Sequence, residues 1–510
     1  MCERLCPQSS LIQIILNDFL YFQSESKKTA AAKPGRYYLN IVMLSALCLA
    51  WFIIDHTLVP RRQSSIAPSR LTHGFGVRLP GIGFKEHDAE GCMVHRNHTH
   101  FRLEYGLSET DDFNSTQCFK EILIYGSINN MLEYPEMAPI LNLFKQDGGY
   151  TNGYSDTTHL VCPNVKCATV GLRVGTDSSY FTGKDAIVFG MFPKAFGGRL
   201  DFLSAIKPSP GQIWIYYSQE PPLRVLQWVQ DPKLENLRYH KSMTYTMDSD
   251  IQRPFGYYIN STPTTTSSDV INLKPNQTKT QNKTKLIAWM ASNCEEVFWP
   301  RYDYIQQLMV HVHIDTYGRC GQFNCLPRDA EQCYWKLNQY KFYLALTNSE
   351  CRHYITEKFW HTSLQYNIVP IVYGAPKVDF ERFAPPNSYI HVSDFDSPKE
   401  LAEYLQVVDR NDTLYNSYFD WKRTGHVESN FPPHADLFCD IVANLENDSP
   451  RSVQDKGSNG GHKTMPLKLL RNSQWWGSCR HEVNMTSAIN TRYQKLRSGY
   501  NSWKPWKVDK

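Results

Sequence analysis

The chain has 510 residues, enough for about three folded units. Its hydrophobic content of 41% and charged content of 20% exclude a disordered or collagen-like chain. Lys and Arg total 54 against 50 Asp and Glu, and a net charge of +4 gives no field for a dedicated nucleic-acid binder.

Residues Tyr37 to Ile54 form the first long apolar run, without a formal charge. As a helix it covers about 27 Å, close to a hydrocarbon core of roughly 30 Å. It starts too deep and runs too long for a cleaved signal peptide, so the sequence predicts an uncleaved signal anchor. Basic residues on its two sides nearly balance, and the orientation is read from the glycosylation sequons instead. Asn97, Asn114, Asn260, Asn276, Asn282, Asn411 and Asn484 each begin N-x-S/T beyond the apolar run. Asn447 does too, with Pro450 just after its triplet. This one-sidedness predicts a lumenal body behind a short cytosolic tail.

The proline-punctuated stretch that follows the anchor reads as a stem. Strands are expected at Glu121–Tyr125, Asp185–Phe189 and Gln212–Tyr217. A Thr-, Ser-, Asn- and Lys-rich segment then predicts an exposed linker, too polar to bury a core. Beyond it, strands at Leu286–Met290, His313–Tyr317, Lys341–Leu346 and Ile368–Tyr373 alternate with helical spacings through Ile305, Leu308, Met309 and Val312, at Thr356–Gln365, and through Leu401 to Val408. This alternation predicts α/β halves with parallel sheets and a cleft near the carboxyl ends of their strands. The 14 cysteines show no zinc-type array. Loose pairs such as Cys162/Cys167 and Cys320/Cys325 are disulfide candidates in an oxidising compartment. Trp475-Trp476 fits no motif, and the basic tail after Gln494 is expected to be solvated.

Three constellations carry chemistry. In YKFYLALTNSECRHYITEKFW, from Tyr340 to Trp360, a strand ends at Asn348-Ser349 before a helix opens at Thr356. A helix start beside Lys358 suits a diphosphate, and Glu357 suits ribose hydroxyls; a capped helix with a solvated ion pair is the plainer reading. Glu220 follows a strand, where a lone Glu before two prolines is otherwise a solvated turn. Asp248-Ser249-Asp250 has the D-x-D spacing of a metal-bound sugar nucleotide site.

Together with NIVPIVYGAPKVDFERFAPPNSYIHVSDFDSPKELAEYL, LIAWMASNC, HIDTYGRCG, TYTMDSDIQRPFG and QIWIYYSQEPP, the Tyr340–Trp360 segment resembles the α1,3/4-fucosyltransferases of glycosyltransferase family 10, over roughly residues 118 to 425. The resemblance implies a GT-B-like pair of Rossmann-like domains, with GDP-fucose bound in the second. It implies donor contacts from Arg301, Asn348, Tyr354, Glu357 and Lys358, and Glu220 as the base. Asp248 and Asp250 belong to a family motif that is no metal site, so no divalent metal and no tightly bound cofactor is expected. The family often has a His-His pair where Gly190-Met191-Phe192 stands, and a Glu-Ser-Pro context where Glu220 is followed by Pro221. Ser292-Asn293-Cys294 and Tyr317-Gly318-Arg319-Cys320-Gly321 resemble the subgroup acting on N-glycan core GlcNAc.

The expected organisation is a cytosolic tail (1–36), transmembrane signal anchor (37–56), stem (57–115), acceptor-side domain (116–260), exposed linker (261–284), GDP-fucose-binding domain (285–425) and C-terminal extension (426–510). The expected function is inverting transfer of L-fucose from GDP-fucose to a GlcNAc 3-hydroxyl of a glycoprotein glycan, in the Golgi membrane. The rivals are a non-catalytic lumenal glycan- or nucleotide-binding protein and a metal-dependent GT-A enzyme.

Overall fold

The computed structural model describes residues 118–146, 153–163, 165–260, 283–294, 297–325, 331–447, 465–488 and 503–508. The expected tail, anchor and stem, almost all of the linker, and Asn97, Asn114, Asn276 and Asn282 lie outside the described residues. Among the described residues no helix is long and apolar enough to cross a membrane. Asn260 and Asn411 are exposed.

Two sheets organise the chain. The first is built from β1 (Phe119–Tyr125), β2 (Thr157–Val161), β3 (Thr169–Gly175), β4 (Ala186–Phe189) and β5 (Ile213–Ser218). After the short β6 (Arg238–Tyr239), β7 (Lys241–Thr244) and β8 (Ile251–Gln252) complete it, and β9 (Gly256–Asn260) follows. The order is β2-β3-β1-β4-β5-β7-β8, parallel throughout except for the antiparallel edge strand β2. The second sheet contains β10 (Lys285–Met290), β11 (Ile314–Tyr317), β12 (Tyr340–Leu346), β13 (Val369–Tyr373) and β14 (Ile390–His391), all parallel, in the order β11-β10-β12-β13-β14. The parallel strands of both sheets share one doubly wound pattern, in which the order reverses beside the first strand. Ligands of such sheets bind at the carboxyl ends of the strands near that reversal.

The strands form because they are apolar on both faces, as a parallel sheet covered on both sides requires. Every residue of β4 and of β13 is buried. Helices α1 (Pro222–Val229), α2 (Arg301–Met309) and α3 (Pro398–Asp409) have local start signals. Ser397 caps α3 by accepting from the Glu400 N–H at 3.2 Å, with Pro398 in the first turn.

The segment after residue 425 turns back to the first sheet. There β15 (Gly425–Ser429) pairs antiparallel with β9, and β16 (Lys468–Leu469) pairs with β6. Between them α4 (Asp436–Asn447) packs Leu437, Phe438, Ile441, Val442 and Leu445 into the cluster that covers one face of the first sheet. The Arg253 guanidinium, 4% exposed, meets Asp440 at 2.5 Å and Asp436 at 3.5 Å. Burial opposes that charge, and the two carboxylates overcome it and hold the Arg253 pKa above its ordinary value.

Disulfides join Cys118–Cys167, Cys162–Cys439, Cys294–Cys320, Cys325–Cys333 and Cys351–Cys479. The expected Cys162/Cys167 and Cys320/Cys325 pairs are therefore corrected: each of these cysteines bonds elsewhere. Neighbours in sequence lose to partners that the fold brings together, up to 277 residues away for Cys162–Cys439. The solvated-tail expectation is corrected at Trp503 and Trp506, which pack against the second sheet's hydrophobic cluster, and the part of that tail before residue 503 lies outside the described residues.

Because Cys162–Cys439 ties α4 to the first sheet across so long a loop, Cys439→Ser should lower unfolding free energy by about 2–5 kcal/mol. Denaturant unfolding of the two proteins checks this. An unchanged midpoint and slope would contradict the role of the bond.

Candidate active site

The site is built from the turn after β5. Ser218 ends the strand, accepts from the Glu220 N–H at 3.2 Å, and donates to the Glu220 carbonyl at 2.8 Å. Trp475 Nε1 donates to the same carbonyl at 3.0 Å. With its backbone pinned on both sides and α1 starting at Pro222, the half-buried Glu220 projects toward the other half. The Glu-Ser-Pro departure leaves the turn intact, because Ser218 supplies a tethering hydroxyl two residues earlier.

Glu220 Oε2 accepts from Asn348 Nδ2 at 3.2 Å and from the Tyr354 hydroxyl at 3.0 Å. Both donors come from the second half, just beyond β12. Asn348 is placed by its own carbonyl, which accepts from the Phe298 N–H at 2.7 Å, while the Trp299 indole donates to the Thr347 carbonyl at 2.9 Å. The turn needs Gly374, whose φ is +130° and where a Cβ would lie 1.8 Å from Thr347 Oγ1. Tyr354 follows His353, which sits at φ +62° with its N–H donating to Asp379 at 2.5 Å. Burial lifts the Tyr354 pKa far above normal, and the Glu220 and Glu357 charges lift it further, so the phenol stays a donor. The Tyr245 ring lies 4.9 Å from that of Tyr354.

Arg301 opens α2 and is 3% exposed. Its guanidinium donates to the Leu346 carbonyl at 3.1 Å and to the Asn293 carbonyl, bridging the ends of β12 and β10. No carboxylate pairs with it among the described residues, and burial lowers its pKa to about 10, where it is still charged at neutral pH. A buried cation bonded only to carbonyls leaves its charge uncompensated, which favours an anionic ligand.

The expected helix at Thr356–Gln365 is corrected in kind: residues Lys358–Leu364 form a π-helix. Side-chain hydroxyls compete with the α-helical ladder there. Thr356 Oγ1 accepts from the Lys358 N–H at 3.4 Å, and Ser363 Oγ donates to the Lys358 carbonyl at 2.6 Å. Lys358 Nζ meets Glu357 at 2.5 Å, so its ammonium is held by its neighbour in sequence. Burial would raise the Glu357 pKa, but the Lys358 charge and hydrogen bonds hold it below the usual carboxylate range.

Asp248 and Asp250 engage different partners. Asp250 accepts from the Ser242 N–H at 2.7 Å and hydroxyl at 2.9 Å, and meets Lys468 at 3.1 Å. Asp248 is 57% exposed and lies 3.9 Å from His353 Nδ1. Among the described residues, three metal-type side chains converge only at Cys118, Cys167 and Glu446, where the cysteines are a disulfide.

Direct bonds thus join Glu220, Asn348 and Tyr354. Arg301 sits behind them, and the Glu357–Lys358 pair adjoins them along the chain. Sequence reasoning missed Ser218, Tyr245 and Trp475. An aromatic pair inside a polar tail, ahead of Cys479, was the available signal for Trp475.

Residues 280–457 match glycosyltransferase family 10 (fucosyltransferase) C-term. The chain is 47% identical over 168 residues to glycoprotein 3-alpha-L-fucosyltransferase A of Drosophila melanogaster, covering 33% of this chain and 32% of that protein. It is 38% identical over 269 residues to 3-galactosyl-N-acetylglucosaminide 4-alpha-L-fucosyltransferase FUT3 of Bos taurus, covering 52% of this chain and 67% of that protein. The matched part thus spans about a third of the first relative's length and two thirds of the second's. A crystal structure of an alpha1,3-fucosyltransferase with GDP-fucose aligns at a TM-score of 0.37 and 13% identity, covering 67% of this chain and 95% of that one.

The Glu357–Lys358 pair makes a pH-dependent contribution. Because the folded carboxyl is depressed, its stabilisation is present above the unfolded pKa of about 4.3 and is lost as pH falls through the folded value. The melting-temperature gap between wild type and Glu357→Gln should therefore be widest at neutral pH and shrink below about pH 4. A gap independent of pH would contradict the pairing.

Proposed function

Since the chain belongs to glycosyltransferase family 10, the fucosyltransferases, we propose that it transfers L-fucose from GDP-fucose to a GlcNAc 3-hydroxyl of a glycoprotein glycan, inverting the anomeric centre. The observation that carries this reading is Glu220, a carboxylate from one half held by Asn348 and Tyr354 of the other. In the transfer, the bond from fucose C1 to the phosphate oxygen breaks and GDP leaves with the electron pair. The acceptor oxygen bonds to C1 from the opposite face, and its proton passes to Glu220. Asn348 and Tyr354 orient the carboxylate before the acceptor arrives. Arg301 and Lys358 offset the charge that grows on the diphosphate, and Glu357 steadies Lys358 and reaches the ribose.

With protein cations in that role, and Asp250 engaged by Ser242 and Lys468, the proposal gives no divalent metal a part. Turnover unaffected by a chelator supports this, and loss of turnover restored by Mn²⁺ would overturn it. The reading places the body in the Golgi lumen, anchored by residues 37–56 as a single-pass type II protein. The apolar run, the one-sided sequons and the five disulfides among the described residues, as in an oxidising compartment, support that placement. Nothing in the site favours the non-catalytic alternative.

Two substitutions separate the roles. Glu220→Gln keeps size but takes no proton, so turnover should fall by roughly 10²-fold or more while GDP affinity stays near normal. Transfer within a few-fold of wild type would move the base elsewhere. Lys358→Ala should weaken GDP binding on the order of 10- to 100-fold, the loss of one charge-assisted contact. Calorimetry showing unaltered GDP affinity would reject that assignment.

A further inference from the structure

The far end of the chain reaches the back of the active-site turn. Trp503 stacks on Trp299, with ring centroids 5.4 Å apart and planes 26° from parallel, and meets Tyr373 edge-on at 5.4 Å. The Trp506 N–H donates to the Tyr373 hydroxyl at 2.6 Å, and the Lys504 carbonyl accepts from Arg480 at 3.0 Å.

All three receivers hold the turn Thr347–Cys351. The Trp299 indole donates to the Thr347 carbonyl at 2.9 Å. The Tyr373 carbonyl accepts from the Thr347 N–H at 3.0 Å, and its phenol donates to the fully buried Glu350 carboxylate. Arg480 meets that carboxylate at 2.8 Å, and the adjacent Cys479 is bonded to Cys351. The buried Trp503 indole N–H has no hydrogen-bond partner among the described residues, so stacking is what the ring supplies.

We infer that the segment 503–508 is a positioning element of the donor site, with Trp503 as the ring that fixes Trp299 and, through it, the turn carrying Asn348. The inference rests on the donor-site reading above. Trp299 is held on one side by Trp503 and on another by Tyr373, so removing Trp503 frees it to tilt. The Thr347 carbonyl then loses its donor, and Arg301, whose N–H donates to the Trp299 carbonyl at 2.6 Å and whose guanidinium donates to the Leu346 carbonyl at 3.1 Å, shifts in the donor site. Misplacement by about 1 Å costs on the order of 100-fold in reactions of bound groups.

The test uses the full chain with Trp503→Ala and Trp503→Phe. Steady-state transfer is measured beside amide exchange in residues 347–351. Trp503→Ala should raise KM for GDP-fucose by roughly tenfold or more and leave the acceptor KM near wild type, with exchange in the turn faster by a similar factor. Trp503→Phe, which keeps a stacking ring, should recover most of both. Wild-type KM for GDP-fucose and wild-type exchange in Trp503→Ala would overturn the inference, even if the protein melts earlier. If Trp503→Ala does not fold, Trp503→Leu decides by the same two readouts. Wild type that takes no GDP-fucose would defeat the donor reading alone, and amide exchange would still judge the positioning role.

Discussion

A single carboxylate, Glu220, accepts from an amide and a phenol that belong to the other half of the molecule. Hydrogen bonds to an ionised acceptor are the stronger kind, and these two fix how the ends of β5 and β12 meet. Each participant is over-determined by its own surroundings. Ser218 and Trp475 hold the Glu220 backbone. Phe298 and Trp299 hold the turn that carries Asn348, and the left-handed His353 with buried Asp379 aims Tyr354. The backbone strain at His353 persists because Asp379 accepts its N–H.

Around this junction the charges are sorted by depth. Arg301 lies buried behind the turn, its fork taken by carbonyls at the ends of two adjacent strands. Glu220 is half-buried and Tyr354 buried as a neutral donor. The second sheet reverses its order between β10 and β12, so Arg301 sits where an open parallel sheet presents its ligand site. The first sheet repeats the same order, and its strand β5 delivers the carboxylate. A cation on one side and a base on the other is the arrangement a displacement with an anionic leaving group needs.

The seven expected strands match observed parallel strands to within one or two residues, because strands buried on both faces read as plain apolar runs. Tyr340–Leu346 and Val369–Tyr373 are examples. The parallel strands β3, β7, β8 and β14 were not anticipated. What depended on tertiary contact was not readable. The π-helix at Lys358–Leu364 arises from the hydroxyls of Thr356 and Ser363, which leave the apolar spacing unchanged. Disulfide partners follow the fold, and Cys439 finds Cys162 only once α4 has returned to the first sheet. Glu220 was legible through its place among ordered motifs. That Asn348 and Tyr354 bond to it was not, since 128 residues separate the nearer pair.

In the proposed transfer one carboxylate acts as a base, with no covalent intermediate on the protein. Product stereochemistry distinguishes this from a double displacement, because direct attack on C1 inverts the anomeric centre in a single step. NMR of the glycan formed by the purified protein from β-linked GDP-fucose and a GlcNAc-terminated acceptor should show fucose α-linked to the 3-oxygen. A β-linked product would mean two displacements and a nucleophile on the enzyme, and would contradict the role given to Glu220.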